Sequence, residues 1–305
     1  MWLAAAFLSA VFSAMATLLI KQFVKETDST LATALRTGVV LVIAWIIAAQ
    51  AGALRDICAI SRKCLLYIVL SGVSTALSWL FYYRALTKGD ADKVMAIEKS
   101  SILVTLSAAV VLFGEHSHLP VKLTGMCVIA AGLYLLLKPA ASEQEAARSP
   151  APKTDSSGWL PYAFLAAMFS ALNTIFAKLG VTGMSSSLAT ALNTSVVLPV
   201  VWAVVLLEAK TGFGRERNSK SLFSTVSGKE AFWIAVSGLT TGICWLCYYY
   251  AVKYGPITVV VPVNKLSVPI AVLYSHFVFG EQMKPRERAG MTGIVCGMLA
   301  VAVLG

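Results

Sequence analysis

Long stretches without a formal charge dominate the chain. They run over Trp2–Ile20, Thr37–Leu54, Cys64–Tyr83, Ser156–Ala177, Leu179–Leu207 and Ala231–Val252. A helix needs roughly 20 apolar residues to cross about 30 Å of hydrocarbon, and these runs have that length. They are continuous, whereas the strands of a membrane β-barrel alternate over segments of about ten residues. The polar breaks predict ten helices, near 2–21, 29–50, 65–87, 91–113, 119–138, 159–180, 186–209, 231–253, 256–279 and 287–305. The expected fold class is all-α integral membrane.

The pattern is written twice. "WLAAAFLSAVFSAMATLLIK" (2–21) aligns without a gap to "WLPYAFLAAMFSALNTIFAK" (159–178), and 2–45 against 159–202 gives 23 identities in 44 positions. "SGVSTALSWLFYYRA" (71–85) matches "SGLTTGICWLCYYYA" (237–251), and "LFGE" (112–115) matches "VFGE" (278–281). A first five-helix repeat, 1–138, is therefore expected, then a polar Pro/Ser/Ala-rich linker, 139–158, then a second repeat, 159–305. Five is odd, so the second repeat must enter the membrane from the opposite side. Ten transmembrane helices as two inverted repeats around a central cavity is a common transporter plan, with the site near mid-membrane between the repeats.

Composition agrees: the 305 residues are 58% hydrophobic and 13% charged, where a soluble domain has about 25% charged. The net charge of +10 sits in loops, where it sets topology and gives no sign of nucleic acid. Counting Lys and Arg on alternate loops favours both termini outside. No basic region precedes the first apolar run, so that run reads as a retained anchor and not a cleaved signal. The six cysteines read as small buried residues, Cys244-x-x-Cys247 included. His116, His118 and His276 form no metal or catalytic motif with their neighbours. No cofactor, metal or enzymatic activity is expected.

The repeat isolates the charges that carry chemistry. Glu98-Lys99-Ser100-Ser101 corresponds to Asn264-Lys265-Leu266-Ser267, so the lysine is kept while the acid becomes an amide. Arg36 in the second helix corresponds to Asn193. A lone charge in hydrocarbon costs about 2.5–3.5 kcal/mol or more, so loss of opposite charges at both positions predicts that Arg36 and Glu98 face each other. Lys99 and Lys265 are candidates to hold a substrate carboxylate or phosphate. Trp79, Tyr82 and Tyr83 share one helix face, as do Trp245, Tyr248 and Tyr249. They are candidate cavity walls, the alternative being interface anchors. Lys21 and Lys178 are expected to snorkel, and Glu115 and Glu281 to lie solvated in loops. Pro256, Pro262 and Pro269 predict a broken ninth helix beside Lys265. Gly125 and Gly132, like Gly290 and Gly297, are expected at helix contacts.

Five helices per half, a Gly-Glu pair closing the fourth, and an acid or amide followed by Lys and Ser within it resemble the EamA-domain transporters of the drug/metabolite transporter superfamily. That resemblance implies a ten-helix carrier whose cavity is lined by the first four helices of each half. It also implies termini in the cytoplasm, against the charge count. The expected function is a secondary transporter in the cytoplasmic (inner) membrane, moving a small polar or amphiphilic metabolite by alternating access. Export, a coupling proton or sodium ion, and a monomer or homodimer are all compatible with it. A lipid-headgroup flippase or a multidrug efflux carrier of the same fold is the alternative.

Overall fold

The computed structural model describes residues 1–24, 27, 29–89, 94, 97–115, 118–137, 158–211, 226–267, 269–271, 273–274 and 285–304. Asp28, Asp90, Ala96, His116, His276, Gly280, Glu281 and most of the linker lie outside them. The described residues form ten α-helices and one 3-10 turn. In the first half these are α1 (Trp2–Phe23), α2 (Ser29–Gln50), α3 (Arg62–Lys88), α4 (Ser101–Phe113) and α5 (Leu119–Leu137). The second half has α6 (Leu160–Val181), α7 (Ser186–Thr211), α8 (Gly228–Tyr254), α9 (Ile257–Lys265) and α10 (Pro285–Leu304). Helices α1, α2, α3, α6, α7 and α8 contain apolar stretches of at least 21 residues, enough to cross a membrane. Helices α5, α9 and α10 carry shorter ones.

Bulky apolar side chains point outward, among them Phe7, Ile46, Val111, Phe164, Leu206 and Phe232. The interior holds small residues and hydroxyls instead: Ala6, Ser9, Ala10, Thr37, Ser71, Thr194 and Ser237 are all buried. A water-soluble protein has the reverse distribution. In lipid, where apolar association gains nothing, helices approach through small residues.

Helix contacts pair the two halves. The closest packing is α3 on α6, α1 on α8 and α5 on α10, with α2 on α7 and α4 on α9 completing the set. The first two bring matched positions together: Ser71 donates to the Asn173 carbonyl at 3.2 Å, and its equivalent Ser237 donates to the Ala16 carbonyl at 2.9 Å. Glycines make the α5–α10 contact. A Cβ on Gly132 would lie 2.7 Å from the Gly290 carbonyl oxygen, and one on Gly297 would lie 2.8 Å from that of Gly125.

Gly132→Ala should therefore lower the melting temperature in detergent, because its obstacle is backbone; overpacking of this kind costs about 1–3 kcal/mol. Gly38→Ala is the control. Its Cβ would meet nothing within 4 Å, so stability should hold or rise, alanine being the better helix former by about 1 kcal/mol.

Candidate functional site

Both halves interrupt a helix immediately after the matched lysine. In the second, α9 stops at Lys265, and the Leu266 N–H turns back to the Val263 carbonyl at 3.1 Å. In the first, the Ser100 N–H makes the equivalent bond to Ile97 at 3.0 Å, with the Ser100 hydroxyl adding a second at 2.6 Å. Proline therefore does not separate the halves here: the first achieves the same tight turn with a serine.

The breaks bring three charges together. Glu98 accepts from Lys99 Nζ at 2.6 Å through one carboxylate oxygen and from Lys265 Nζ at 3.4 Å through the other. Its side chain is 14% exposed. The adjacent residues Glu98 and Lys99 thus pair with each other at the helix break. The expected partnership of Glu98 with Arg36 is not formed. Helix α2 packs on α7 and α8, whereas α4 packs on α6 and α9. Parallel loss of opposite charges did not imply adjacency. The ionisable neighbours of Arg36 include Tyr83 on α3 and Cys244 on α8, and among the described residues no carboxylate pairs with it.

The counterpart amides also separate. Asn264 donates to the Ser9 hydroxyl on α1. Asn193 is 2% exposed, and its Oδ1 has no partner among the described residues.

A partly open cavity of about 250 Å³ lies beside the triad, lined by Thr75, Ser78, Trp79 and Tyr82 of α3, by Glu98 and Lys99, and by Ser170 and Asn173 of α6. Trp79 reaches Trp245 with ring centroids 6.2 Å apart, so the two third helices (α3 and α8) touch at the centre. The other aromatics divide: Tyr83 hydrogen-bonds Thr33 at 3.1 Å, Tyr248 donates to Thr174 at 3.3 Å, and Tyr249 lies 3.4 Å from Ser71 Oγ. Trp79 and Tyr82 alone among these aromatics line the cavity.

The equivalent space in the second half would lie between α8, α9 and α1. There the Asn264 amide on α9 is hydrogen-bonded to the Ser9 hydroxyl on α1. The first half lacks that bond because Ala166 stands where Ser9 does, which leaves Glu98 without the equivalent hydroxyl.

Some charges assigned to solvent or to the interface instead bind helix ends. Glu115 accepts from the N–H groups of Ile257 at 2.8 Å and Thr258 at 2.9 Å, and from the Thr258 hydroxyl at 2.7 Å. It caps α9 from the other half, satisfying amides that a helix start leaves orphaned. Lys178 donates to the carbonyls of Val252 and Gly255, both at 2.7 Å, closing the end of α8 instead of snorkelling. Glu230 in the first turn of α8 accepts from the Thr27 N–H at 3.1 Å. These roles join residues far apart in sequence; only the repetition of Gly-Glu marked one of them. Among the described residues no group of His, Cys, Asp and Glu could hold a metal.

Glu115→Gln should lower stability by about 1–3 kcal/mol, the cost of losing hydrogen bonds to a charged acceptor, read as a fall in melting temperature. Ser9→Ala should cost less, about 0.6 kcal/mol, the average for a polar contact between membrane helices.

Comparison with known proteins is consistent with this architecture. The model of the EamA-like transporter family matches residues 1–138 and again 157–303. A relative from Sinorhizobium sp., named an uncharacterized transporter in cobO 3'region, is 35% identical over 148 residues, which is 48% of this chain and 99% of the relative. A crystal structure of a protein 16% identical in sequence superposes with a TM-score of 0.71, covering 99% of this chain and 97% of that one. At that identity the likeness concerns the fold.

Proposed function

Because the chain belongs to the EamA-like transporter family and is a multi-pass membrane transporter, we propose that it is a secondary carrier of a small polar or amphiphilic metabolite. The metabolite binds between α3, α6 and the Glu98–Lys99 segment. The observation that carries this reading is a cavity with polar walls and an aromatic side, containing charges that the surrounding helices avoid. Its 250 Å³ equals about eight water volumes of 30 Å³, which suits a metabolite more than a lipid headgroup with its chains.

The carrier works by alternating access. Two five-helix repeats, 1–138 and 159–305, joined by the polar linker 139–158, cross the membrane with opposite orientation in ten spans. In support, packing contacts exchange between the halves: α3 on α6 mirrors α1 on α8, and α4 on α6 mirrors α1 on α9. A cavity lies beside Glu98 in the first half, whereas Asn264 and Ser9 are hydrogen-bonded at the corresponding place in the second, which we read as one side open and the other closed. Exchange opens the second space and closes the first, moving the entrance from one membrane face to the other. Lys99, Lys265, Trp79, Tyr82, Trp245 and Tyr248 contact the substrate in one or other state.

Reconstitution in liposomes tests this. Flux of a metabolite panel should be measured for a cysteine-free protein carrying Ser9→Cys with Asn264→Cys, before and after oxidation. Each single variant should transport, and the oxidised pair should stop until reduced. Transport by the locked pair at the parent rate would refute alternation at this contact. No flux of any panel member would remove the carrier reading itself.

A further inference from the structure

Among the described residues the charges around the cavity do not balance. Among the described residues Glu98 is the sole carboxylate lining it, and two ammonium groups, Lys99 and Lys265, face that carboxylate. The remaining polar lining is neutral, from Thr75, Ser78, Ser170 and Asn173, with the Tyr82 hydroxyl also near Glu98. Each lysine takes one of the two carboxylate oxygens, which is the arrangement a small carboxylate ligand would need. The Lys265 contact, at 3.4 Å, is the looser. Beside the pair, Trp79 and Tyr82 offer an aromatic surface to an apolar body.

Resting on the carrier reading of this cavity, we propose that Glu98 is a built-in stand-in for the substrate's own anionic group. The substrate is a small carboxylate with an apolar body. Its carboxylate replaces Glu98 on Lys99 and Lys265, its body lies against Trp79 and Tyr82, and Glu98 swings into the open cavity. In the empty carrier the stand-in keeps both ammonium groups paired, which hydrocarbon surroundings demand. Competition from within the site also keeps binding weak and reversible, as release on the far side requires. A substrate bound with no competitor would be held too tightly to leave.

A matched set of probes tests this on the full-length protein in detergent: phenylacetate, neutral phenylacetamide and cationic phenethylammonium, titrated by calorimetry. The wild type should bind the acid and discriminate against both others, a comparison that needs no variant. Glu98→Gln should bind phenylacetate at least about tenfold more tightly, since hydrogen bonds to charged groups are worth that factor or more. In liposomes the same variant should show a lower KM together with a lower maximal rate. Removing all three charges together, with Glu98→Gln, Lys99→Gln and Lys265→Gln, should abolish the preference for the acid. Preference for phenethylammonium, equal binding of acid and amide, no tightening in Glu98→Gln, or no acid binding by either protein would each overturn the proposal. Flux of cations or neutral molecules in liposomes would then leave the carrier reading standing without the anion.

Discussion

A polar group inside hydrocarbon has no water to turn to, and the bundle is organised around that constraint. Its interior hydroxyls donate back along their own helices: Thr37 to Thr33, Thr75 to Ser71, Thr105 to Ser101, Thr194 to Thr190 and Thr241 to Ser237. These side chains are small enough to let helices approach, and they leave no donor stranded. Ser71 and Ser237 instead reach across to neighbouring helices, and each fixes the register of a contact between halves. Charges obey the same rule. Glu98 sits with two lysines, Glu115 with a helix start and Lys178 with a helix end.

Helix ends supply much of the polarity that those charges answer. Pro256 starts α9 without a side-chain cap of its own, so the first N–H groups take a carboxylate from the other half. The end of α8, two residues before that proline, takes the Lys178 ammonium. The α8–α9 corner is thus clamped on both sides by side chains that belong to different repeats. A carboxylate at a helix N-terminus and a cation at a C-terminus both follow the helix dipole.

Much of this was legible in the sequence. Six of the long uncharged runs mark the six long apolar helices, and the Gly125/Gly132 and Gly290/Gly297 spacing marks the α5–α10 contact. The place of the helix break followed from the prolines around Lys265. What could not be read was lateral adjacency. Depth along a helix can be counted in residues, but which neighbour a side chain meets depends on how helices surround one another. Arg36 and Glu98 belong to segments that do not pack together, so the paired loss of charge misled. Glu115 was misplaced for a related reason, since a loop position next to glycine reads as solvated until the helix start facing it is known.

The two halves share a backbone plan and differ in a few side chains, and those differences carry the consequence. A perfectly repeated chain would make the open and closed arrangements of its two sides equal in energy. Here Ser9 stands opposite Asn264 on one side, while Ala166 leaves Glu98 without an equivalent hydroxyl on the other. In the proposed exchange the side of Asn264 closes with a neutral hydrogen bond. The side of Glu98 would close only by bringing a charged carboxylate against alanine, which is costly unless the charge stays with its lysines. A ligand can shift such an equilibrium only by the difference in its affinity for the two arrangements. The triad of Glu98, Lys99 and Lys265 spans both halves, so whatever occupies it contacts the two bodies that would have to move. In the proposed exchange, chemistry at that point of contact is the means by which a small molecule biases the whole bundle.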